Sequence, residues 1–338
     1  MPPLLSLIVP HHNHLRSLPR LLDSVLAQSF RNLEVVLVDD RSDEPCGPIV
    51  EAYRNKGLDI VLLEHGTRIY TMKARLEGMR AARGAIIGFA DADDMLWGTE
   101  AVEKNVDIFQ TERPDILHFR TVRIDRSGNF RAWFSDMDPP VDRQEGRAIF
   151  HNYVTSPRFQ QLSTVWNKYF SRNLALEVCE ALEGSGVLRY LEDACICLTG
   201  MFHAGTYVGS SHAGYGYAYD FSDEPQKYRE GHEWAVSVWR MLRYLPPYFA
   251  QRGCPEESLR ALRRTLSDRL CVKVGHAGMA AIERDGPFVS DATLDALLEH
   301  VDERTFIKVL LLGAGLNAKK ILGCLQTLLP RADDAEAP

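Results

Sequence analysis

The chain has 338 residues, with 39 Lys plus Arg against 46 Asp plus Glu, giving a formal net charge of −7. At 45 % apolar and 25 % charged, its composition is that of an ordinary globular protein, and its length suits roughly two domains of ~150 residues or one large α/β domain with an appendage. A largely disordered chain and a nucleic-acid binder built on a basic tract are excluded. So is a membrane-spanning helix, because the longest uncharged apolar run, 309–316, is far shorter than the ~20 residues a bilayer needs.

Met1-Pro2-Pro3 leads into a strand-like run without a basic segment, so no secretory signal is expected. The seven cysteines form no CxxC pair and are odd in number. That suits a reducing cytoplasm, with cysteines as small core residues and no zinc site.

The elements predicted in chain order begin with a buried strand over 4–9 and an amphipathic helix over 15–28, apolar at Leu18, Leu21, Leu22, Val25 and Leu26. A strand over 33–38 ends in Asp39-Asp40, a helix covers 48–55, and a third strand covers 58–63. A helix over 71–82 then leads to a strand over 85–90 that ends in Asp91-Ala92-Asp93-Asp94. Strand, helix, strand at this spacing implies right-handed crossovers and a parallel sheet. Ligands of such sheets bind beyond the carboxyl ends of the strands. Those ends carry residues 10–14, Asp39-Asp40, 64–68 and 91–94, which gathers the polar chemistry on one rim.

After residue 98 the pattern loosens into a helix over 100–111, a strand over 116–119, and a hairpin whose arms, 120–124 and 130–134, flank Arg126-Ser127-Gly128-Asn129. Trp166-Asn167-Lys168 reads as strand, residues 188–191 lead into Glu192-Asp193 and a short helix, and 206–209 is another strand. Beyond a break at Asp223-Glu224-Pro225 the chain reads helical over 233–245, 255–273, 291–300 and 304–329, with a polar tail at 331–338. The expected domains are therefore 1–224, in halves 1–97 and 98–224, and 225–330. No internal repeat is present.

Asp91-x-Asp93-Asp94 is the sharpest motif. Carboxylates two positions apart, just past a buried strand, can converge on one Mg²⁺ or Mn²⁺ bridging phosphate oxygens; a solvated turn capping the next helix is the plainer alternative. Asp39 and Asp40 can accept hydrogen bonds from a nucleobase and ribose, or serve as turn residues. Arg75 is a candidate phosphate partner. Glu192-Asp193 offers either a general base or ordinary first-turn carboxylates. The run His11-His12-Asn13-His14 fits a nucleotide-pocket wall better than a metal cluster, and Cys195-x-Cys197 fits core packing. Leu311-Leu312-Gly313-Ala314-Gly315 lacks the glycine spacing of a dinucleotide site.

These residues, in this order, resemble the inverting family 2 glycosyltransferases of the GT-A fold. The opening Pro-x-Tyr-Asn of that family is matched by Pro10-His11-His12-Asn13, with His12 in place of Tyr. A helix ending in Gln-Ser is matched at Gln28-Ser29, and Val-Asp-Asp-x-Ser at Val38-Asp39-Asp40-Arg41-Ser42. Ala74-Arg75-Leu76-Glu77-Gly78 stands for Ala-Arg-Asn-x-Gly, and residues 82–94 carry the strand ending in the family's Asp-x-Asp-Asp. Trp166-Asn167-Lys168 and Glu192-Asp193 are similar to later family elements, whereas Tyr217-Ala218-Tyr219-Asp220 lacks the arginine of the usual ending. The resemblance spans about residues 4–220.

What the resemblance implies is a metal-dependent transferase moving a sugar from a nucleoside-diphosphate sugar, UDP-linked by family habit, to an acceptor hydroxyl. Pro10, His12, Asn13, Asp39, Asp40, Arg75, Asp91, Ala92 and Asp93 would bind the donor. Asp91 and Asp93 would hold Mn²⁺ or Mg²⁺, His212 is a candidate third ligand, and Asp193 would be the catalytic base. A saccharide or lipid-linked acceptor and a role in polysaccharide or glycoconjugate synthesis at the cytoplasmic face follow from the same likeness. A non-catalytic scaffold of the same fold and a sugar-phosphate nucleotidyltransferase are the alternatives. Between 240 and 273 eight basic residues face three acidic ones. This excess suits a solvated helix face, and also a phosphorylated acceptor, peripheral contact with anionic lipid, or a second copy of the chain.

Overall fold

Alternation of strand and helix over the first ninety residues builds the parallel half of one sheet. β1 (Leu5–His11), β2 (Leu33–Asp39), β3 (Asp59–Glu64) and β4 (Ile86–Phe89) are joined by α1 (Leu18–Leu26), α2 (Gly47–Asn55) and α3 (Tyr70–Ala81). The structure, a computed structural model, describes residues 2–218 and 231–274. Every residue of β2 is buried, as is all of β1 except Pro10, which is what strands covered by helices on both faces require.

The rest of the sheet is mixed. Past β4 come β5 (Met95–Leu96), α4 (Ala101–Glu112), β6 (Ile116–Ile124), β7 (Phe130–Trp133), β8 (Arg143–Glu145), α5 (Arg147–Thr155) and α6 (Phe159–Leu162). They are followed by β9 (Lys168–Ser171), α7 (Arg172–Ala181), α8 (Glu192–His203) and β10 (Thr206–Ala218). The sheet order is β3-β2-β1-β4-β9-β6-β10-β5, with β7 added to β6 and β8 to β10. β9 is antiparallel to both neighbours, so β6 and β10 run in the direction of β1–β4. The predicted fold class, a mostly parallel α/β sheet, is what forms.

Several boundaries in this unit differ from the sequence reading. The first helix begins at Leu18, because residues 15–17 form a turn in which the Ser17 and Leu18 N–H groups both donate to His14 O. The predicted strand 116–119 and hairpin arm 120–124 are one nine-residue strand, since its lower part pairs with β9 and its upper part with β7. β10 extends well past 209 by accommodating register shifts between Ser210 and Tyr215. Gly214 permits this: a Cβ there would lie 2.6 Å from the Phe119 ring.

At the sheet end opposite the rim, Glu34 is fully buried yet satisfied. Its carboxylate accepts from Ser6 Oγ at 2.5 Å, Arg83 N at 2.7 Å and Arg83 Nε at 2.7 Å. Gln28, also buried, stitches α1 to the chain before α4. Its amide donates to Gly98 O at 2.7 Å and Ser24 O at 3.1 Å, and accepts from Val102 N at 3.1 Å.

The chain divides into two compact units, Met1–Val187 with Glu192–Ser222, and Leu188–Leu191 with Asp223–Pro338. In the second, α9 (Gly231–Gln251) and α10 (Glu256–Val274) pack on one another, and Trp239, Leu242, Leu245, Phe249, Leu262 and Leu266 on these helices are buried. α9 runs through Pro246 and Pro247, where the sequence reading stopped it. The buried stripe from Leu242 and Leu245 to Phe249 outweighs the lost N–H bonds. The predicted helices 291–300 and 304–329 and the tail lie outside the described residues. No described helix is long and apolar enough to cross a membrane.

Candidate active site

The strand ends of β1, β2 and β4, the start of α3 and the start of α8 meet around a cleft of about 240 Å³. Its lining includes Pro10, His12 and His14 after β1, Asp40 after β2, Thr71 and Arg75 on α3, Asp91, Ala92 and Asp93 after β4, and Glu192. Among the described residues, positive φ outside glycine occurs at Asn13, Arg41, Tyr70, Arg113 and Leu191, and the first three lie in the segments that follow β1 and β2 and open α3. Strained backbone of this kind persists where surrounding bonds over-determine it. Asp40 supplies such bonds, its carboxylate accepting from Ile69 N at 2.5 Å, Tyr70 N at 3.0 Å and Arg68 Nε at 3.0 Å.

Arg75 is the hub. Helical spacing placed it on α3, and the structure buries it to 2 % exposure rather than leaving it on the surface. Nη2 donates to Asp91 Oδ1 at 2.7 Å, while Nη1 donates to Glu192 Oε1 at 3.2 Å and also to Asp193 Oδ1. Burial works against its charge, but the carboxylates of Asp193, Asp91 and Glu192 outweigh that, and its pKa moves upward. Arg75 Nε has no hydrogen-bond partner.

One cation facing three carboxylates leaves acid in excess. Burial pushes the Asp193 carboxyl up to about 7, opposed by Arg75 and reinforced by Glu192 and Asp91. Glu192 is raised for the same leading reason. Asp93 stands open to solvent at the cleft, yet desolvation by the surrounding walls and the charge of Asp91 raise it, with His14 and Arg20 pulling the other way. Arg20 also donates to the Asp93 carbonyl, holding the loop. These groups fit a divalent cation with its phosphates: hard oxygen ligands on Asp91 and Asp93, surplus negative charge, and an unsatisfied guanidinium N–H.

The third acid of the motif behaves differently. Asp94 is 1 % exposed, accepts from Tyr215 Oη at 2.7 Å and Ala218 N at 2.7 Å, and is raised well above the usual carboxylate range by burial and by Asp93 and Asp91. Tyr215 Oη in turn accepts from Asp91 N at 3.0 Å, so Asp94 and Tyr215 shape the loop that presents Asp91 and Asp93.

Two residues expected at the donor lie just behind the cleft lining. Asp39 Oδ1 accepts from Ser42 Oγ and from His11 Nδ1 at 3.0 Å. Asn13 is engaged with the loop after β2, its amide donating to Asp43 Oδ2 at 2.9 Å and accepting from Asp43 N at 2.8 Å. His12 lines the cleft with a fixed tautomer: Nδ1 donates to Asp40 O at 2.9 Å and Nε2 accepts from Arg68 Nη1 at 2.5 Å. Burial lowers the His11 pKa against the opposing pull of Asp39, and its Nε2 is buried without a partner. Burial also keeps the Cys46 thiol protonated, its pKa raised to about 11, beside His11 and Asp39.

Asp193 sits at the first turn of α8, and its Oδ2 accepts from Val165 N at 3.4 Å. The expected strand at Trp166-Asn167-Lys168 begins only at Lys168, and the preceding turn is what reaches Asp193. Lys168, fully buried, pins that turn by donating to Thr164 O at 2.6 Å and Asn167 Oδ1 at 2.8 Å, and burial lowers its pKa to about 8. His212 is exposed at the irregular part of β10 and does not line the cleft. His14, one of the residues read as a pocket wall, lines the cleft, whereas Thr71 and Arg20 carry no signal in the sequence because each is an ordinary helix residue until the fold brings it to the rim. Tyr219 and Asp220 lie outside the described residues.

A parallel-stranded α/β sheet with an acidic, arginine-bridged cleft at its strand ends defines the class. Residues 6–175, half of the chain, match the model of glycosyl transferase family 2, and the chain belongs to that family. It is 35 % identical over 111 residues to the uncharacterized glycosyltransferase EpsJ of Bacillus subtilis, covering 31 % of this chain and 32 % of that one. Over 132 residues it is 30 % identical to the amylovoran biosynthesis glycosyltransferase AmsB of Erwinia amylovora, covering 37 % and 43 %. Over 155 residues it is 30 % identical to the poly(ribitol-phosphate) β-N-acetylglucosaminyltransferase TarS of Staphylococcus aureus, covering 45 % and 26 %. The chain thus spans less than half the length of each of these relatives. The crystal structure of S. aureus TarS 1–349 in complex with UDP-GlcNAc superimposes with a TM-score of 0.53 at 18 % identity, covering 90 % of each chain, so the fold is the expected GT-A fold.

Proposed function

We propose that this chain transfers a sugar from a nucleoside-diphosphate sugar to an acceptor hydroxyl with inversion at the anomeric carbon. The observation that carries the reading is Arg75, buried and bonded at once to Asp91 on the donor side and Asp193 on the acceptor side. A UDP-linked donor is favoured by the UDP-GlcNAc held by TarS, and a polysaccharide or glycoconjugate product by the names of AmsB and TarS. Residues 1–97 serve the donor and 98–224 the acceptor.

Pro10, His12, Asp40, Arg75, Asp91, Ala92 and Asp93 bind the nucleotide and its diphosphate, with Asn13 and Asp39 bracing the loops behind them. Asp91 and Asp93 are the ligands for Mn²⁺ or Mg²⁺, which when bound neutralises the charge that grows on the departing diphosphate. Asp193 is the general base. Its carboxylate takes the proton of the acceptor hydroxyl while that oxygen bonds to the anomeric carbon. The bond from that carbon to the diphosphate oxygen breaks, and its electron pair leaves with the nucleoside diphosphate. One displacement needs one base and no covalent sugar–protein intermediate.

The test is release of nucleoside diphosphate from a panel of UDP-, GDP- and dTDP-sugars with Mn²⁺ present, for the wild type and Asp193→Asn. The reading expects release with at least one donor, lost in the variant while the donor still binds. Release that survives Asp193→Asn, or no release with any donor, contradicts it.

A further inference from the structure

Among the described residues the large apolar side chains standing in solvent are Phe130, Trp133 and Val141. The first two share β7, the outer strand of the β6–β7 hairpin, and are 45 % and 52 % exposed. Their rings meet edge-on with centroids 6.0 Å apart, and Trp97 lies 5.9 Å from Phe130. The Arg120 guanidinium, tied to Asp138 at 3.0 Å, rests 4.5 Å over the Trp133 ring. Trp133 is therefore held in place, and the solvent has access to the rest of its indole.

This row of rings is joined to the cleft. One guanidinium, that of Arg20, donates both to the carbonyl of Asp93 and, at 2.6 Å, to the carbonyl of Arg126 at the hairpin tip. Gly128 at the same tip lies against Met95, close enough that a Cβ there would be 3.2 Å from its sulfur. On the inner side, Phe134 meets Tyr217 at 5.9 Å, Tyr217 stacks on Trp166 at 5.4 Å, and Trp166 stacks on Tyr215 at 4.7 Å. Tyr215 holds Asp94, and Val165, next to Trp166, donates to Asp193. The inner rings thus run from the acidic loop and the base to Phe134, the chain neighbour of Trp133 on the exposed side of the hairpin.

Size and chemistry select the occupant. Two half-exposed aromatic rings offer on the order of 200 Å² of apolar surface. That is far below the roughly 800 Å² a stable protein partner buries per side. It matches one or two pyranose rings, whose C–H faces are apolar while their hydroxyl rims stay in water. We infer that Phe130 and Trp133, with Trp97 behind them, form a stacking shelf for the sugar rings of the acceptor saccharide, steadying it for the hydroxyl that reaches Asp193. This names the acceptor class for the cleft and rests on the transferase reading.

The probes are cellohexaose, chitohexaose and maltohexaose, followed on the full chain by saturation-transfer NMR and tryptophan fluorescence. At least one should bind the wild type, with affinity about tenfold weaker in Phe130→Ala/Trp133→Ala and retained in Trp133→Phe. UDP binding with Mn²⁺ should be the same in all three proteins, which also reports that the variants are folded. The shelf is overturned if no hexasaccharide binds the wild type, or if the double variant binds as well as the wild type. Saccharide binding without nucleotide binding or release would leave the shelf standing and sink the transferase reading, so the two failures are distinguishable.

Discussion

Arg75 and Glu34 show at single-residue scale what separates a structural ion pair from a reactive one. Glu34, fully buried, is satisfied by Ser6 and Arg83. Arg75 must serve three carboxylates, and Asp193 is left with its pKa near neutrality. Two outcomes follow. The rate of nucleotide release should rise with pH along a limb centred at about 7, because only the ionised Asp193 accepts a proton. The stability linkage has the opposite sense. The folded chain keeps this proton from ~4 up to about 7 while the unfolded chain has lost it, so the contribution of Asp193 to stability is greatest below ~4 and declines as pH rises towards 7. A pH–rate profile and denaturation midpoints across that window check both. Arg75→Met strips the guanidinium bonded to Asp91, Glu192 and Asp193 and should cost roughly 3–5 kcal/mol in urea unfolding. Addition of Mn²⁺ should recover part of that loss. A loss within 0.5 kcal/mol would show that Arg75 does not hold these acids together.

At the scale of elements, the strand–helix rhythm of the first ninety residues was readable because buried strands and amphipathic helices differ in period. The strand ends also put Asp40, Asp91 and Asp93 on one rim from sequence alone, whereas Arg75 is marked there only as a candidate phosphate partner. What could not be read was where β6 and β10 extend, since their upper halves are held by long-range pairing and by Gly214. Nor could local pattern divide Asp91-x-Asp93-Asp94 into two cleft residues and a brace, because Asp94 depends on Tyr215, 121 positions away. Gln28 is a readable element-scale feature, a polar end to α1, whose purpose only the fold reveals. Gln28→Ala removes three hydrogen bonds, two of them buried, and should cost about 1–3 kcal/mol in urea unfolding, without altering nucleotide affinity. A change confined to nucleotide affinity would place Gln28 in the site instead.

For the molecule as a whole, a net charge of −7 and the acids clustered at the strand ends both work against a diphosphate, and an accompanying cation would offset that repulsion. The central claim is that Asp91 and Asp93 supply the place for that cation, within one cleft shared with Arg75 and Glu192. Calorimetric titration of UDP, GDP and dTDP into the full chain, with and without Mn²⁺, in the wild type and in Asp93→Asn, addresses it most directly. The account predicts that at least one nucleotide binds at least tenfold more tightly with Mn²⁺, and that Asp93→Asn removes the difference. Equal affinity with and without the metal in the wild type, or a metal effect that survives in Asp93→Asn, would contradict it.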